Sequence, residues 1–260
     1  MRKLLNILFT LLFFLFIGFN SMAAEKTAKL LNPEWSFKGF FGKFDRASLQ
    51  RGYQVYIEVC SACHSMKYLS YRNLSEPGGP EFSESQAKAI AANFEVIDGP
   101  NSDGEMFNRP AKLSDKFVMP YENVEAATAA NGGAYPPDMS VLVKARKGGA
   151  DYVYSLLLGY EDPPSGISLD DGVYYNAYMY GNSIKMPKPF SEGQVEYNDG
   201  TKATEEQMSK DVVTFLSWAA EPHLEERHKI GFKVIIYLII LSLFVYLSMK
   251  RLWSRIESKV

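Results

Sequence analysis

Cys60-Ser61-Ala62-Cys63-His64 brings two thiols and an imidazole together, and it uses both of the chain's cysteines. With two residues between them, each thiol can form a thioether to one vinyl group of the same porphyrin, while the adjacent imidazole reaches the iron from one face. The residues are therefore read as the attachment point for one covalently bound haem c (iron), with His64 as an axial ligand. Other chemistries fit less well. A structural zinc site needs two more Cys or His ligands. Only His223 and His228 remain, far along the chain beside an apolar segment. A thioredoxin-like pair has the same thiol spacing, but it requires no following histidine and sits after a strand in a βαβ unit. A plain disulfide leaves the histidine unexplained.

A haem that need not bind oxygen usually carries a second axial ligand. The remaining histidines are poorly placed, which leaves thioether sulfur and ten methionines to sort. Met1 and Met22 fall in the N-terminal apolar region and Met249 at the end of a second one. Met66 follows the haem motif too closely to reach over the ring, and Met208 lies on a helical stripe. Met119-Pro120 and Met186-Pro187 stand out, because a proline after the ligand fixes the backbone and removes a donor from a loop lying on the haem face. Spacing suits Met119; the residues alone do not rank the two.

Haem is attached to such motifs outside the cytoplasm, so the N-terminus has to support export. Arg2 and Lys3 precede an apolar run from Leu4 to Phe19, and Ser21-Met22-Ala23-Ala24 supplies small residues before Glu25. This is the pattern of a bacterial signal peptide over residues 1–23, without the Arg- and Ser-rich character of an organelle transit peptide. A second apolar run, Ile230 to Met249, carries a single charge, Lys233. As a helix it spans about 30 Å, the thickness of a bilayer core. Lys250, Arg251, Arg255 and Lys259 after it suit a cytoplasmic end. The expected organisation is a periplasmic haem domain over residues 24–222, a juxtamembrane segment and single transmembrane helix over 223–250, and a cytoplasmic tail over 251–260, in the bacterial inner membrane. The formal charge of −2 offers no case for nucleic-acid binding.

Two stretches have convincing helical patterning. Gly52, Tyr56 and Cys60 recur every four residues, with Tyr53, Val59 and Cys63 widening the face that delivers the thiols to one side. Thr204 with Gln207 forms a capping-box pattern ahead of a stripe of Met208, Val212, Phe215 and Ala219, with Pro222 beyond. Gly52 would let another helix approach closely, and Phe215 and Trp218 could fill the contact. This resembles the crossing of first and last helices in the class I cytochrome c fold. The expected fold is mainly α: a class I cytochrome c-like haem domain with long loop insertions and one C-terminal transmembrane helix. Turn signals crowd the region between, among them Pro77-Gly78-Gly79-Pro80, Asn131-Gly132-Gly133 and Pro163-Pro164-Ser165-Gly166. Such chain can wall an apolar cofactor without regular structure.

Several stretches are similar to cytochrome c1, the haem subunit of the quinol:cytochrome c oxidoreductase (cytochrome bc1) complex. They are Arg51-Gly52 through Met66; Asp98-Gly99-Pro100 with Asp103 to Phe107; Ala130 to Ala134 with Pro136-Pro137-Asp138; Lys144-Ala145-Arg146; Asp151-Tyr152-Val153; Gly159-Tyr160 with Pro163 to Gly166; and Trp218 to Pro222, running on into the apolar segment. The resemblance implies that the second ligand lies in a Met-containing loop shortly before the last helix of the haem domain, which maps to Met186 and displaces Met119. It implies that Arg146 faces a haem propionate, and that Tyr152, Asn131, Pro136 and Pro137 line the pocket. Some family members carry an additional disulfide, which this chain lacks the cysteines to form.

The same resemblance implies the partners: cytochrome b, the Rieske iron–sulfur protein as electron donor, a soluble cytochrome c as acceptor and the lipid bilayer, within a dimeric multi-subunit complex. The chain would carry single electrons and perform no bond-making catalysis of its own. An acidic run from Glu81 to Glu105 is expected to be a solvated face, with steering of a basic acceptor as the sharper reading. Two rival classes remain: a tethered cytochrome of another respiratory complex or periplasmic reductase, and a haem sensor with an open iron site.

Overall fold

The structure is a computed structural model that describes residues 28–257. The expected signal peptide over 1–23 lies outside the described residues. Helix α1 (Arg46–Val55) starts where the Asp45 carboxylate accepts from the backbone N–H groups of Ala47 and Ser48, at 3.0 and 3.4 Å. Such a cap satisfies donors that the helix itself leaves without partners. Past Val55 the winding changes. Residues Tyr56–Cys60 form a wider turn, closed by a hydrogen bond from Ser61 N–H to the Tyr56 carbonyl at 2.8 Å. The expected four-residue period therefore does not run unbroken to the first cysteine. The wider turn shifts the angular position of every residue after it, as π-type turns do, and such turns are frequent at functional sites.

Short elements follow: a 3₁₀ turn over Tyr71–Ser75, helix α2 (Glu84–Ala92), the antiparallel pair β1 (Glu95–Asp98) and β2 (Phe107–Pro110), and helix α3 (Val124–Ala130). Then come helix α4 (Gly149–Leu158) and a second antiparallel pair, β3 (Tyr174–Tyr175) with β4 (Ser183–Ile184). Helix α5 (Glu205–Ala220) packs against both α1 and α4. The domain is thus mainly helical, with long irregular connections and only two small sheets among the described residues.

The α1/α5 crossing is the centre of the core. A Cβ placed on Gly52 would stand 2.1 Å from the Asp211 carbonyl oxygen, so the helices touch backbone to backbone where Gly52 has no side chain. Around this point Tyr53, Tyr56 and Trp218 surround the fully buried Phe215, with ring centroids 5.7, 5.9 and 5.5 Å away. Phe215→Ala would cost roughly 3–5 kcal/mol by the usual behaviour of enclosed aromatics. A polar clamp locks the register. The enclosed carboxylate of Asp211 accepts from Ser48 Oγ at 2.6 Å, from Arg51 Nε at 2.8 Å and from Gln207 Nε2 at 2.9 Å. Thr204 does cap α5, accepting from Gln207 N–H at 3.1 Å. Gln207, however, turns forward to Asp211 rather than back to the cap, because a buried carboxylate must have donors. The expected single stripe on α5 also widens, since Met208 through Ala219 are nearly all buried, Lys210 being the exception.

Helix α6 (Leu224–Glu257) follows within a few residues. Its first turn is docked on the domain: Glu225 takes a two-pronged contact from Arg46 at 2.8 and 3.0 Å and the Phe44 N–H at 3.0 Å. Beyond that the helix is apolar, long enough to cross a bilayer, and has none of its apolar window buried within the chain. An isolated apolar helix of this length needs lipid or protein around it.

Candidate haem-binding site

The wide turn after α1 and the tight turn that follows present Cys60, Cys63 and His64 to one cavity of about 680 Å³. The space lies within the range of cofactor pockets. Opposite walls come from α4 (Tyr152, Val153), from α5 (Val212, Leu216), from the 130–137 loop, and from β4 with the residues after it, including Met186. Every residue singled out from the sequence lies on this cavity: Cys60, Cys63, His64, Asn131, Pro136, Pro137, Arg146, Tyr152 and Met186. Met119 does not. It is half exposed and borders a separate hollow of about 130 Å³ between Tyr56, Phe117 and Pro120.

His64 is held firmly. Its Nδ1 lies 2.8 Å from the Pro137 carbonyl. A carbonyl only accepts, so Nδ1 carries the proton and Nε2 keeps the free lone pair. Burial pushes the ring's pKa down, against the raising effects of the Pro137 carbonyl and Asp138. The outcome is a neutral imidazole, the form that ligates iron. Asp138 builds the support for this arrangement. It accepts from Ser65 Oγ at 2.8 Å, Lys67 N–H at 2.9 Å and Ser140 N–H at 2.9 Å, stapling the chain after the motif to the 137–140 segment. Burial works against its charge, but these donors, the Lys67 N–H foremost, hold its carboxyl below the ordinary value. The Met139 N–H to Ser65 carbonyl bond, 2.8 Å, completes the ladder.

The thiols are free. Burial, with Cys63 close by, pushes the Cys60 thiol up to about 12. A neutral thiol is a poor metal ligand and a poor redox nucleophile, which counts against both the zinc and the thioredoxin readings. Zinc fails on position as well. His223 faces Glu226 and His228 faces the Gly42 carbonyl, at the start of α6. Among the described residues no group of three or more His, Cys, Asp or Glu stands together as a metal site.

On the other wall, the Tyr160 hydroxyl donates to the Met186 carbonyl at 3.1 Å, and Lys185 Nζ to the Gly132 carbonyl at 2.7 Å. Burial pushes the Tyr160 phenol up, so it stays a donor. Two further methionines line the cavity without having been marked in the sequence. Met139 belongs to the His64 side through its bond to Ser65. Met179 accepts from the Tyr152 hydroxyl at 3.6 Å through its sulfur. Nothing in their local spacing distinguishes them from core methionines. Arg146 is exposed at the rim and has no carboxylate partner among the described residues, whereas neighbouring Lys144 is paired with Glu221 at 3.1 Å. The donor set fits a haem: two thiols beside a neutral imidazole, an apolar interior with thioether sulfur, and a free guanidinium for an acidic substituent. In the acidic run, Glu81 pairs with Arg46, Glu84 with Lys88 and Asp98 with Arg109, and none of the run lines the cavity.

Known proteins resemble this chain over the same span. It is 52% identical over 237 residues to "Cytochrome c1 2, heme protein, mitochondrial" of Arabidopsis thaliana, covering 91% of this chain and 76% of that one. It is 42% identical over 257 residues to "Cytochrome c1" of Rhodospirillum rubrum, covering 93% of each. It is also 46% identical to "Cytochrome b/c1" of Bradyrhizobium diazoefficiens, covering 92% of this chain but 38% of that longer polypeptide. The pattern described as "Cytochrome C1 family" matches residues 35–256, from the first ordered aromatic of the domain to the end of the apolar helix. With the cavity, the crossing and the anchor helix all inside that match, the chain belongs to the cytochrome c1 family.

Proposed function

We propose that this chain is a membrane-anchored c-type cytochrome that carries single electrons from the Rieske iron–sulfur protein to a soluble cytochrome c within a bc1 complex. The observation that carries the reading is that Cys60, Cys63, His64 and Met186 share one cavity while Met119 borders another. Cys60 and Cys63 would hold the porphyrin through thioethers, and His64 Nε2 and Met186 Sδ would be the axial ligands. The bound haem supplies one-electron chemistry at iron, and thioether ligation favours the ferrous state and so a higher potential. The residues around it have simple tasks. Pro137 and Asp138 keep the imidazole oriented and neutral, Tyr160 holds the Met186 backbone, and Val153, Val212 and Leu216 exclude water. Arg146 would neutralise a propionate. Tyr152, Asn131, Pro136 and Pro137 would complete the wall.

The Bradyrhizobium relative, whose printed name joins cytochrome b to c1 in one polypeptide, supports cytochrome b as a neighbour. The exposed apolar α6 supports a bilayer anchor, and the N-terminal sequence supports export of residues 24–222 to the periplasmic side of a bacterial inner membrane. The remaining segments follow as proposed from the sequence, with the anchor over 223–250 and a cytoplasmic tail over 251–260.

The axial ligand provides the test. Met186→Leu is expected to abolish the sulfur-to-iron charge-transfer absorption and lower the potential, while Met119→Leu and Met179→Leu leave both in place. Loss of the band in Met179→Leu with retention in Met186→Leu would overturn the assignment. An open-site sensor would instead bind carbon monoxide readily in the reduced wild type.

A further inference from the structure

We propose that the Gly39–Gly42 turn is a second membrane contact: Phe40 and Phe41 sit in the headgroup layer of the bilayer beside the start of α6. The proposal rests on the reading that α6 crosses the membrane. The turn is closed by a hydrogen bond from Gly42 N–H to the Gly39 carbonyl at 3.2 Å, which puts the two phenylalanines at its tip. Turn tips are normally polar or glycine-rich. Here they are 51% and 72% exposed. The exposure is not for want of a core, since Trp35, Phe37 and Phe44 in the same segment are all buried.

The geometry of the turn is imposed. Gly39 has φ of +90°, and a Cβ on Gly42 would lie 2.3 Å from the Phe37 carbonyl oxygen. His228 Nδ1 donates to the Gly42 carbonyl at 3.2 Å, fastening the turn to α6. The rings of Phe40 and Phe41 meet Phe232 edge to face, at 6.2 and 5.8 Å between centroids. Phe232 stands just inside the apolar run that starts at Ile230. The exposed phenylalanines therefore continue the surface of the span without a polar break. They protrude rather than line a groove, and the exposed Lys43, Lys229 and Lys233 neighbour them along the chain. An apolar projection among cations suits anionic headgroups over apolar acyl chains better than it suits a protein pocket.

The test uses the haem-loaded full chain in phosphatidylcholine/phosphatidylglycerol vesicles, with a phosphatidylcholine carrying a photoactivatable diazirine near the top of its acyl chain. Labelled peptides are mapped by mass spectrometry. Label on the peptide holding Phe40 and Phe41 is expected to match that on the start of α6, and to exceed the label on residues 123–130 roughly tenfold, because the reagent partitions into hydrocarbon. The double variant Phe40→Ser/Phe41→Ser should lower the first signal to background and leave α6 labelled. If α6 itself takes no label, the spanning reading fails and the proposal falls with it. If α6 is labelled while the turn stays at background, the proposal alone is overturned. Labelling in vesicles that disappears in native membranes containing the assembled complex assigns the patch to a protein partner, which also overturns it.

Discussion

On the His64 side of the cavity, five hydrogen bonds tie residues 64–68 to residues 137–140; on the Met186 side, two side chains and a two-residue strand pair hold the loop. The first wall is buried, with His64 8% exposed and Ser140 fully enclosed. The second is half open, and it offers two sulfurs, Met179 and Met186, within one lining. Rigid support around one ligand and a looser loop around the other means that the imidazole is preorganised, whereas the sulfur is selected by loop position. Disturbance should therefore spread differently from the two sides.

The largest effect is expected where both walls depend on one contact. Gly52→Val drives a branched side chain into the Asp211 backbone. It should separate α1, which carries the thiols, from α5, which lines the cavity, at a cost of about 3 kcal/mol or more. Denaturant unfolding of the haem-loaded protein measures this, and a change below about 1 kcal/mol would show that the crossing yields.

Asp138→Ala comes next and breaks only the His64 side. It leaves Ser65 Oγ and the N–H groups of Lys67 and Ser140 without their acceptor, at roughly 1–3 kcal/mol for the site as a whole. Its pH dependence has a fixed sign. The carboxyl is held below its ordinary 3.8 in the folded chain, so its contribution is fully present above that value and is lost as pH falls through the lower folded value. The stability gap between wild type and Asp138→Asn should be constant through neutral pH and narrow only below about pH 4.

Tyr160→Phe should be the smallest, about 1 kcal/mol for one hydrogen bond. Global unfolding would scarcely register it. The charge-transfer band should nevertheless fade at lower temperature than in wild type, because the Met186 loop alone is loosened. Equal loss of band and fold would mean that the two walls are not independent.

Much of the molecule was legible in local sequence. Cys60, Cys63 and His64 declare their chemistry because it requires them side by side in the chain, and Ile230 to Met249 declares a helix because a bilayer sets its length. Gly52 and Phe215 could be paired across the domain because a missing side chain in one helical face and aromatics in another are complementary. The wide turn at Tyr56–Cys60 was not legible. It is set by how α1 packs against α5, and no residue type encodes it. Nor were Met139 and Met179, since a methionine on a cavity wall and one in a core have the same neighbours in sequence.

The sequence by itself determined the attachment motif, the helix crossing and the apolar span, since each is a short-range pattern or a bulk property of a segment. Only the tertiary structure decided which methionines share the cavity with His64, that Arg146 is left free at its rim, and that Phe40 and Phe41 lie against Phe232. Those relations join residues tens to nearly two hundred positions apart. Their proximity depends on the packing of the whole chain, and no local propensity records it.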